Sequence, residues 1–398
     1  MENNKFNEAV ILLQQLIQIP SPYFEEEKAI DYVYQWLTDN HIPAQIHEYR
    51  DDKVTKFSGK NVLSVIDSGR PGPVIHLNGH IDTVKLCQGW SKDPFDGTLE
   101  DGRIYGLGAL DMKSGCTAIM SALKEFLKDC PSFCGKIISA FVSDEEGPFG
   151  LGTSAIIADG YLDDVDVSIS TEPSAGFTKV PFPCVCLGAR GSYGLSVEFF
   201  GTAAHAANPH LGVNAAIEAG KLLTNLDQIR FREDDFLGKG CVCPISMEAD
   251  GGACSVPDYA KVGLFWHLVR GDSKEWIVSE LERVLALAGV QCEYRISFRQ
   301  APTEATDVML PYAVSPDDPY VTRFMDAVRD VAEDPMTVNF FQSNGDFNYL
   351  GTLLDAPCII FGAAGSNHHS PDEYATEASV RGTAAVLYTF LKDTLATQ

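Results

Sequence analysis

PVIHLNGHID, residues 73–82, is a short apolar run bounded by Gly and Pro that closes on Gly79-His80-Ile81-Asp82. Residues 73–78 read as a buried strand. A histidine at the C-terminal end of such a strand stands where open α/β sheets bind their ligands. The flanking sequence keeps the same rhythm. Residues 5–18 and 24–39 read as helices, the second opening after Pro20-Ser21-Pro22. Residues 60–67 read as a strand. Cys116, Ile119, Met120, Leu123 and Leu127 recur at helical spacing, which makes 112–128 an amphipathic helix. KIISAFV (136–142) and VDVSIST (165–171) are further short apolar strands. Strands alternating with helices predict an α/β fold, a mostly parallel sheet with helices on both faces.

Between about 188 and 302 the rhythm changes. Strands are expected at 193–200, 242–249, 258–269 and 291–299, and helices at 212–229 and 273–288. The order β-α-β-β-α-β is that of a ferredoxin-like unit. The simplest organisation is a small inserted domain, 188–302, within a larger one formed by 1–187 and 303–398. Insertion at an exposed loop disturbs little.

Composition narrows the function. The chain has 398 residues, 30 Lys+Arg and 55 Asp+Glu, a formal net charge of -25. That balance argues against nucleic-acid binding, which needs a basic footprint, and against an anionic membrane surface. No apolar run is long enough to span a bilayer. The N-terminal MENNKFNEAV lacks the features of a signal peptide, so a cytoplasmic protein is expected. The 11 Cys, odd in number and scattered, fit plain thiols better than a disulfide framework.

Five places carry residues suited to chemistry: His80 with Asp82, Asp111 after a Gly-rich run, Glu145-Glu146, Glu172, and His368-His369. Each alone has an ordinary reading. A surface histidine, a helix N-cap at Asp111, a solvated acidic loop and a histidine-bearing loop account for them one by one. Their common placement does not have one. His80, Asp111, Glu146, Glu172 and His369 all follow expected strands or open an expected helix, at one edge of one sheet. Two histidines and three carboxylates form a nitrogen/oxygen set suited to Zn²⁺, with Co²⁺ or Mn²⁺ as alternatives.

The motifs GHIDTV (79–84), YGLGALDMKSG (105–115), SDEEG (143–147), TEPS (171–174), GTAAHAANPHLGVNAA (201–216) and HHSPDE (368–373) together resemble one family. It is the di-zinc metallopeptidase and deacylase family of acetylornithine deacetylase, succinyl-diaminopimelate desuccinylase, glutamate carboxypeptidase and aminoacylase. The resemblance implies a zinc-exopeptidase-like fold with an inserted lid that mediates dimerisation. It implies that His80 and Glu172 hold one ion, Glu146 and His369 the other, and that Asp111 bridges them. Asp82 would orient the His80 ring. Glu145 would be the general base. His205 would stabilise the oxyanion from the partner subunit of a homodimer.

The chain also departs from the family pattern. Cys254 or Ser255 stands near an expected Asn, and His267 stands where an Arg is expected. Arg190, in GARGS, resembles an Arg of the desuccinylase-like members. Arg190, His267 and Asn214 are therefore the expected substrate-binding residues. The last motif is altered to Ser343-Asn344-Gly345-Asp346-Phe347. The function implied is hydrolysis of the amide of an N-acyl amino acid by a water bridging two metal ions. The alternatives are a di-, amino- or carboxypeptidase on the same scaffold and, remotely, a non-catalytic binding protein that retains the metal site.

Overall fold

The computed structural model describes residues 5–396. Residues 1–4, the start of the segment read above for a signal peptide, lie outside the described residues. The chain divides into two compact units, Met1–Ala189 with Tyr312–Gln398, and Arg190–Pro311.

The first unit is built on a nine-stranded sheet. Its order is Gln45–Arg50, Ser58–Asp67, Lys136–Val142, Val74–His80, Val167–Ser170, Cys358–Ile360, Cys184–Ala189 and Tyr312–Ala313, with Thr337–Phe341 also paired to Cys184–Ala189. Val74–His80 runs parallel to both neighbours, and Val167–Ser170 runs parallel to Cys358–Ile360. The outer strands Gln45–Arg50, Ser58–Asp67 and Tyr312–Ala313 are antiparallel additions. Both faces of the central strands are covered. Ile138, Ala140 and Val142 pack with Ile156 and Leu350 of the helices Leu151–Ala158 and Phe347–Leu353. The alternate positions Ile137, Ser139 and Phe141 point the other way and are equally buried. The near-continuous apolar character of KIISAFV, interrupted only by Ser139 after its first residue Lys136, follows from this double burial. The helices Asn7–Ile17, Ser114–Asp129, Pro319–Val331 and Glu377–Leu395 pack upon one another as a second group.

The same unit carries a second, smaller sheet that the sequence does not predict. Gly365–Ser366, Tyr374–Thr376, Arg103–Tyr105 and Leu99–Glu100 pair in that order, all antiparallel. Its strands are two or three residues long, too short to show a period. It ties the segment before Asp111 to the segment after His369.

The Arg190–Pro311 unit has a four-stranded antiparallel sheet in the order Cys241–Ala249, Tyr259–Leu268, Gly191–Phe200, Glu293–Phe298. Its helices are Ala215–Leu223 and Lys274–Leu287. Val197, Phe199, Leu264, Trp266, Ile277 and Leu281 fill its core. The unit runs past the last long strand to Pro311 because the chain turns back: Ser192 N–H donates to the carbonyl of Met309 at 2.8 Å. The helix expected over 212–229 ends at Leu223 and is followed by a single 3₁₀ turn, Leu226–Gln228. The edge strand Cys241–Ala249 is exposed along most of its length. No helix among the described residues is long and apolar enough to cross a membrane.

Candidate metal centre

Three parallel strands deliver three of the five residues. Val74–His80 ends on His80, Lys136–Val142 leads into Glu145-Glu146, and Val167–Ser170 leads into Glu172. Because the strands are parallel, these ends share one edge of the sheet. His80 and Glu172 are buried. Asp111 comes from the turn Ala109–Lys113, and the long helix begins only at Ser114. Asp111 is extended there, with φ -114° and ψ 99°, and its side chain caps nothing. His369 comes from the loop between Gly365–Ser366 and Tyr374–Thr376 of the short sheet and stays partly exposed, with a positive φ of 56°.

The side chains converge. His80 Nε2 lies 3.2 Å from Asp111 Oδ1 and 3.5 Å from Glu172 Oε1. His369 Nε2 lies 3.3 Å from Asp111 Oδ2 and 2.9 Å from Glu146 Oε1. The two oxygens of Asp111 therefore face two different histidines. Glu145 stands beside them, its Oε2 3.8 Å from His80 Nε2. Among the described residues, His80–Asp111–Glu146 and His80–Glu145–Glu172 each bring three donor atoms within 4.8 Å of one another.

The profile of Peptidase family M20/M25/M40 matches residues 76–393. The chain belongs to this family. It is a metal-dependent hydrolase of amide bonds. The M20 chain is similar over nearly its whole length to the succinyl-diaminopimelate desuccinylase of Orientia tsutsugamushi (strain Boryong). Identity is 24% over 386 residues, covering 96% of this chain and 94% of that one. A shorter match, to the enzyme of the same name from Cupriavidus pinatubonensis, is 36% identical over 162 residues, 40% and 42% of the two chains. Among solved structures, a tripeptidase from Staphylococcus aureus superposes with a TM-score of 0.77 at 18% identity, covering 98% of each chain. An M20 family metallo-carboxypeptidase from Sulfolobus solfataricus gives 0.76 at 18% identity, covering 97% of this chain and 98% of that one. They share the M20 fold.

The electrostatics of the M20 site fit a cationic occupant. Burial raises the pKa of Glu145, Glu146 and Glu172, and mutual repulsion adds to it. Burial opposes a charged His80 ring, but Glu172, Asp111 and Asp82 outweigh it and hold its pKa well above the usual range. For His369, too, burial opposes charge, but Asp111 and Glu146 hold its pKa at about 11. Protein alone thus balances buried negative charge by collecting protons. Divalent ions would take that place, since the donors are the oxygen and imidazole ligands such ions prefer.

Asp82 stands beside the His80 ring and also meets the backbone of the Glu145-Glu146 loop. The His80 Nδ1–H faces the backbone carbonyl of Asp82 at 3.0 Å, with Asp82 Oδ1 at 3.6 Å. The Asp82 carboxylate itself accepts the N–H of Glu145 at 3.2 Å and of Glu146 at 2.9 Å.

Two supporting residues escaped the sequence reading. Glu373, buried, accepts the backbone N–H of Gly108, Leu110 and Asp111 at 3.0, 2.9 and 3.0 Å and so fixes the Asp111 turn. Asp346, also buried, accepts from Asn78 Nδ2 at 2.8 Å and from the Thr153 hydroxyl, while its own N–H donates to Glu145 Oε1 at 3.2 Å. Glu373 sits within HHSPDE, but its three partners are distant in sequence. Asp346 follows Gly345 in the altered last motif, but its partners are distant in sequence.

The remaining expected residues lie in the Arg190–Pro311 unit. His205 is exposed, and its Nδ1 accepts the N–H of Ala207 at 3.1 Å. Arg190 Nε donates to the carbonyl of Leu237 at 3.1 Å. Burial and the nearby Arg190 push His267 down to about 4, so that its ring is neutral at pH 7. The Asn214 side-chain oxygen accepts from Ala216 N and Ile217 N, capping the helix Ala215–Leu223.

A small cavity of about 80 Å³ opens on the candidate metal site. Its lining includes the carboxylates of Asp111, Glu145, Glu146 and Glu172 and the aromatic rings of Phe177, Phe341 and Phe347.

Proposed function

We propose that this M20 protein is a two-metal deacylase that hydrolyses the amide of an N-acyl amino acid. The observation that carries the reading is the division of the Asp111 carboxylate, Oδ1 toward His80 and Oδ2 toward His369. That arrangement suits a bridging ligand between two ions. His80 and Glu172 would hold one and Glu146 and His369 the other, with Zn²⁺ favoured by the donor set and Co²⁺ or Mn²⁺ as substitutes. When bound, such ions polarise the carbonyl under attack and activate water near neutral pH.

The chain's own residues do the rest. Glu145 takes a proton from the attacking water and later gives it to the departing amine. Its raised pKa suits both halves of that task. The Asp346 N–H holds Glu145 Oε1, and Asp82 fixes the backbone on which Glu145 and Glu146 ride. Arg190 and His267 would receive the substrate carboxylate, with Asn214 shaping the loop that carries it.

The same reading includes a homodimer formed through the Arg190–Pro311 unit, with His205 reaching the site of the second subunit. Support comes from the open edge strand Cys241–Ala249, where Ile245 is 64% and Met247 47% exposed, and from Ile217, 59% exposed on the helix Ala215–Leu223. Unpaired edges bearing apolar side chains are ready templates for a second chain. The free state of all 11 cysteines supports a reducing, cytoplasmic setting.

The deciding experiment sets a panel of N-acyl amino acids beside dipeptides, with the protein loaded in turn with Zn²⁺, Co²⁺ and Mn²⁺. Turnover of acyl amino acids is expected to exceed that of dipeptides. Dipeptide turnover alone would replace the deacylase by a peptidase. Metal retention without turnover of any member would leave a binding protein. Light scattering tests the dimer, and a fully active monomer would refute the role of His205 in a second subunit.

A further inference from the structure

Glu26 occupies the N-cap position of the helix Glu27–Asp39. Ser, Thr, Asp and Asn are the usual residues there, because their short side chains reach back to the first N–H groups of the helix. Glu26 makes no such cap. Its side chain is buried and used elsewhere. Glu26 Oε1 accepts the N–H of Asp144 at 3.1 Å, across 118 residues of sequence.

That bond completes a series. From Ser143 to Glu146 the backbone belongs to no strand or helix, so its N–H groups need partners from other segments. Each of the four has one. Ser143 N–H donates to Asn61 Oδ1 at 3.1 Å and Asp144 N–H to Glu26. Glu145 N–H and Glu146 N–H donate to the two oxygens of Asp82, at 3.2 and 2.9 Å. Asp144 holds a left-handed φ of 63°, uncommon for a residue with a Cβ. Glu26 thus receives the N–H at the sharpest point of the loop.

The arm that carries Glu26 is tied down on its other side. Ser21 Oγ donates to the carbonyl of Ile81 at 2.8 Å. Thr83 N–H donates to the carbonyl of Ser21 at 2.8 Å, and Tyr23 N–H to the carbonyl of Thr83 at 2.9 Å. Residues 21–26 therefore bridge the segment just after His80 and the loop that bears Glu145 and Glu146.

We propose that Glu26 is a positioning residue for the hydrolytic reaction: by holding the Asp144 N–H it fixes the turn that aims Glu145 at the water and Glu146 at its ion. The proposal rests on the roles given to Glu145 and Glu146 above and deepens them. Glu26 itself touches neither substrate nor ion. What it supplies is an acceptor oxygen. Burial and repulsion from Asp82 raise its pKa to about 8, against backbone N–H groups that lower it. The carboxyl is then mostly protonated at pH 7, and glutamine is its near-isostere.

The test compares Glu26→Ala, Glu26→Met and Glu26→Gln in the full-length, metal-loaded protein. Glu26→Ala is expected to lower kcat about 10–100-fold, the usual cost of removing such support. KM should stay within about twofold, since the lost contact is not to substrate. Glu26→Met fills the same space without an acceptor and should match Glu26→Ala, which separates the bond from a void. Glu26→Gln keeps the acceptor and should hold kcat within about threefold of the wild type. A merely structural residue would lower the melting temperature and leave the kcat of folded, metal-loaded molecules unchanged. Calorimetric titration of Zn²⁺ into the metal-free proteins reads the same loop without turnover. Binding about tenfold weaker for Ala and Met, with Gln close to the wild type, is expected. Wild-type kcat in Glu26→Ala overturns the proposal, as does a Gln variant as impaired as the Met variant. If the wild type hydrolyses no amide, the deacylase reading fails, and the order of Zn²⁺ affinities alone decides for or against Glu26.

Discussion

Asp82 and Glu145 are joined through the backbone: the buried Asp82 carboxylate accepts the Glu145 N–H at 3.2 Å, and its other oxygen accepts the Glu146 N–H at 2.9 Å. One side chain thus sets the position of both the expected base and an expected metal ligand. Supporting residues of this kind typically cost about 10–100-fold in metal affinity or activity when removed. Asp82→Ala is therefore expected to lower both metal content and kcat. Elemental analysis beside steady-state kinetics checks this. Unchanged metal content together with unchanged kcat would release Asp82 from the role.

Adjacent Glu145 and Glu146 are expected to respond differently. Glu146 lies 2.9 Å from His369 Nε2, whereas Glu145 Oε1 is held by the Asp346 N–H at 3.2 Å. Glu145→Gln should keep its metal and lose about 10²–10⁴ in kcat, the usual worth of general acid–base help. Glu146→Gln should lose metal first. Equal metal content in the two variants would refute the division.

Gly345 presses against the same base. A methyl group added to its Cα would come 2.8 Å from Glu145 Oε1 and 2.5 Å from the Phe347 ring, closer than such contacts allow. Gly345→Ala is expected to displace Glu145, lowering kcat with little change in metal content. Asp346→Ala should act at the same place by freeing the loop from Asn78 and Thr153. If kcat stayed at the wild-type level in both, the loop would have no hold on the base.

His76 gives the fold an acid-sensitive point away from the reacting groups. Its ring is fully buried and shares a 2.8 Å hydrogen bond with Ser168 Oγ. Burial pushes its pKa down to about 3, from an ordinary 6.5. The unfolded chain then binds a proton below pH 6.5 that the folded chain refuses. Stability from this residue is complete above about pH 6.5 and falls toward pH 3 with a slope of up to about 1.4 kcal/mol per pH unit. His76→Leu should flatten that part of the curve. Urea titrations at several pH values measure it, and equal slopes for the two proteins would contradict the assignment.

Much of the site could be read from the strands that carry it. His80 and Glu172 end apolar runs, and an abrupt change from apolar to ionisable is visible without coordinates. Asp111 was harder to place. An aspartate before an amphipathic helix looks like an N-cap, yet its extended backbone sets the helix start at Ser114 and turns the carboxylate toward two histidines. Glu373 and Asp346 left no local trace, because their partners lie 262 or more residues away for Glu373 and 193 to 268 for Asp346. The short sheet was illegible for a related reason: strands of two or three residues carry no period.

The strand Cys358–Ile360 lies between Val167–Ser170 and Cys184–Ala189 in the large sheet. During synthesis Val167–Ser170 and Cys184–Ala189 therefore emerge with a slot between them, and it is filled only when residues 358–360 follow. Until then two apolar strand edges stand open, the condition under which nascent chains aggregate or recruit chaperones. The loop that brings His369 to Asp111 lies just beyond that strand, after Gly365–Ser366. A ribosome-bound chain that has not yet released residues 358–376 would lack both the filler of the slot and His369, and so would hold only part of the proposed ligand set.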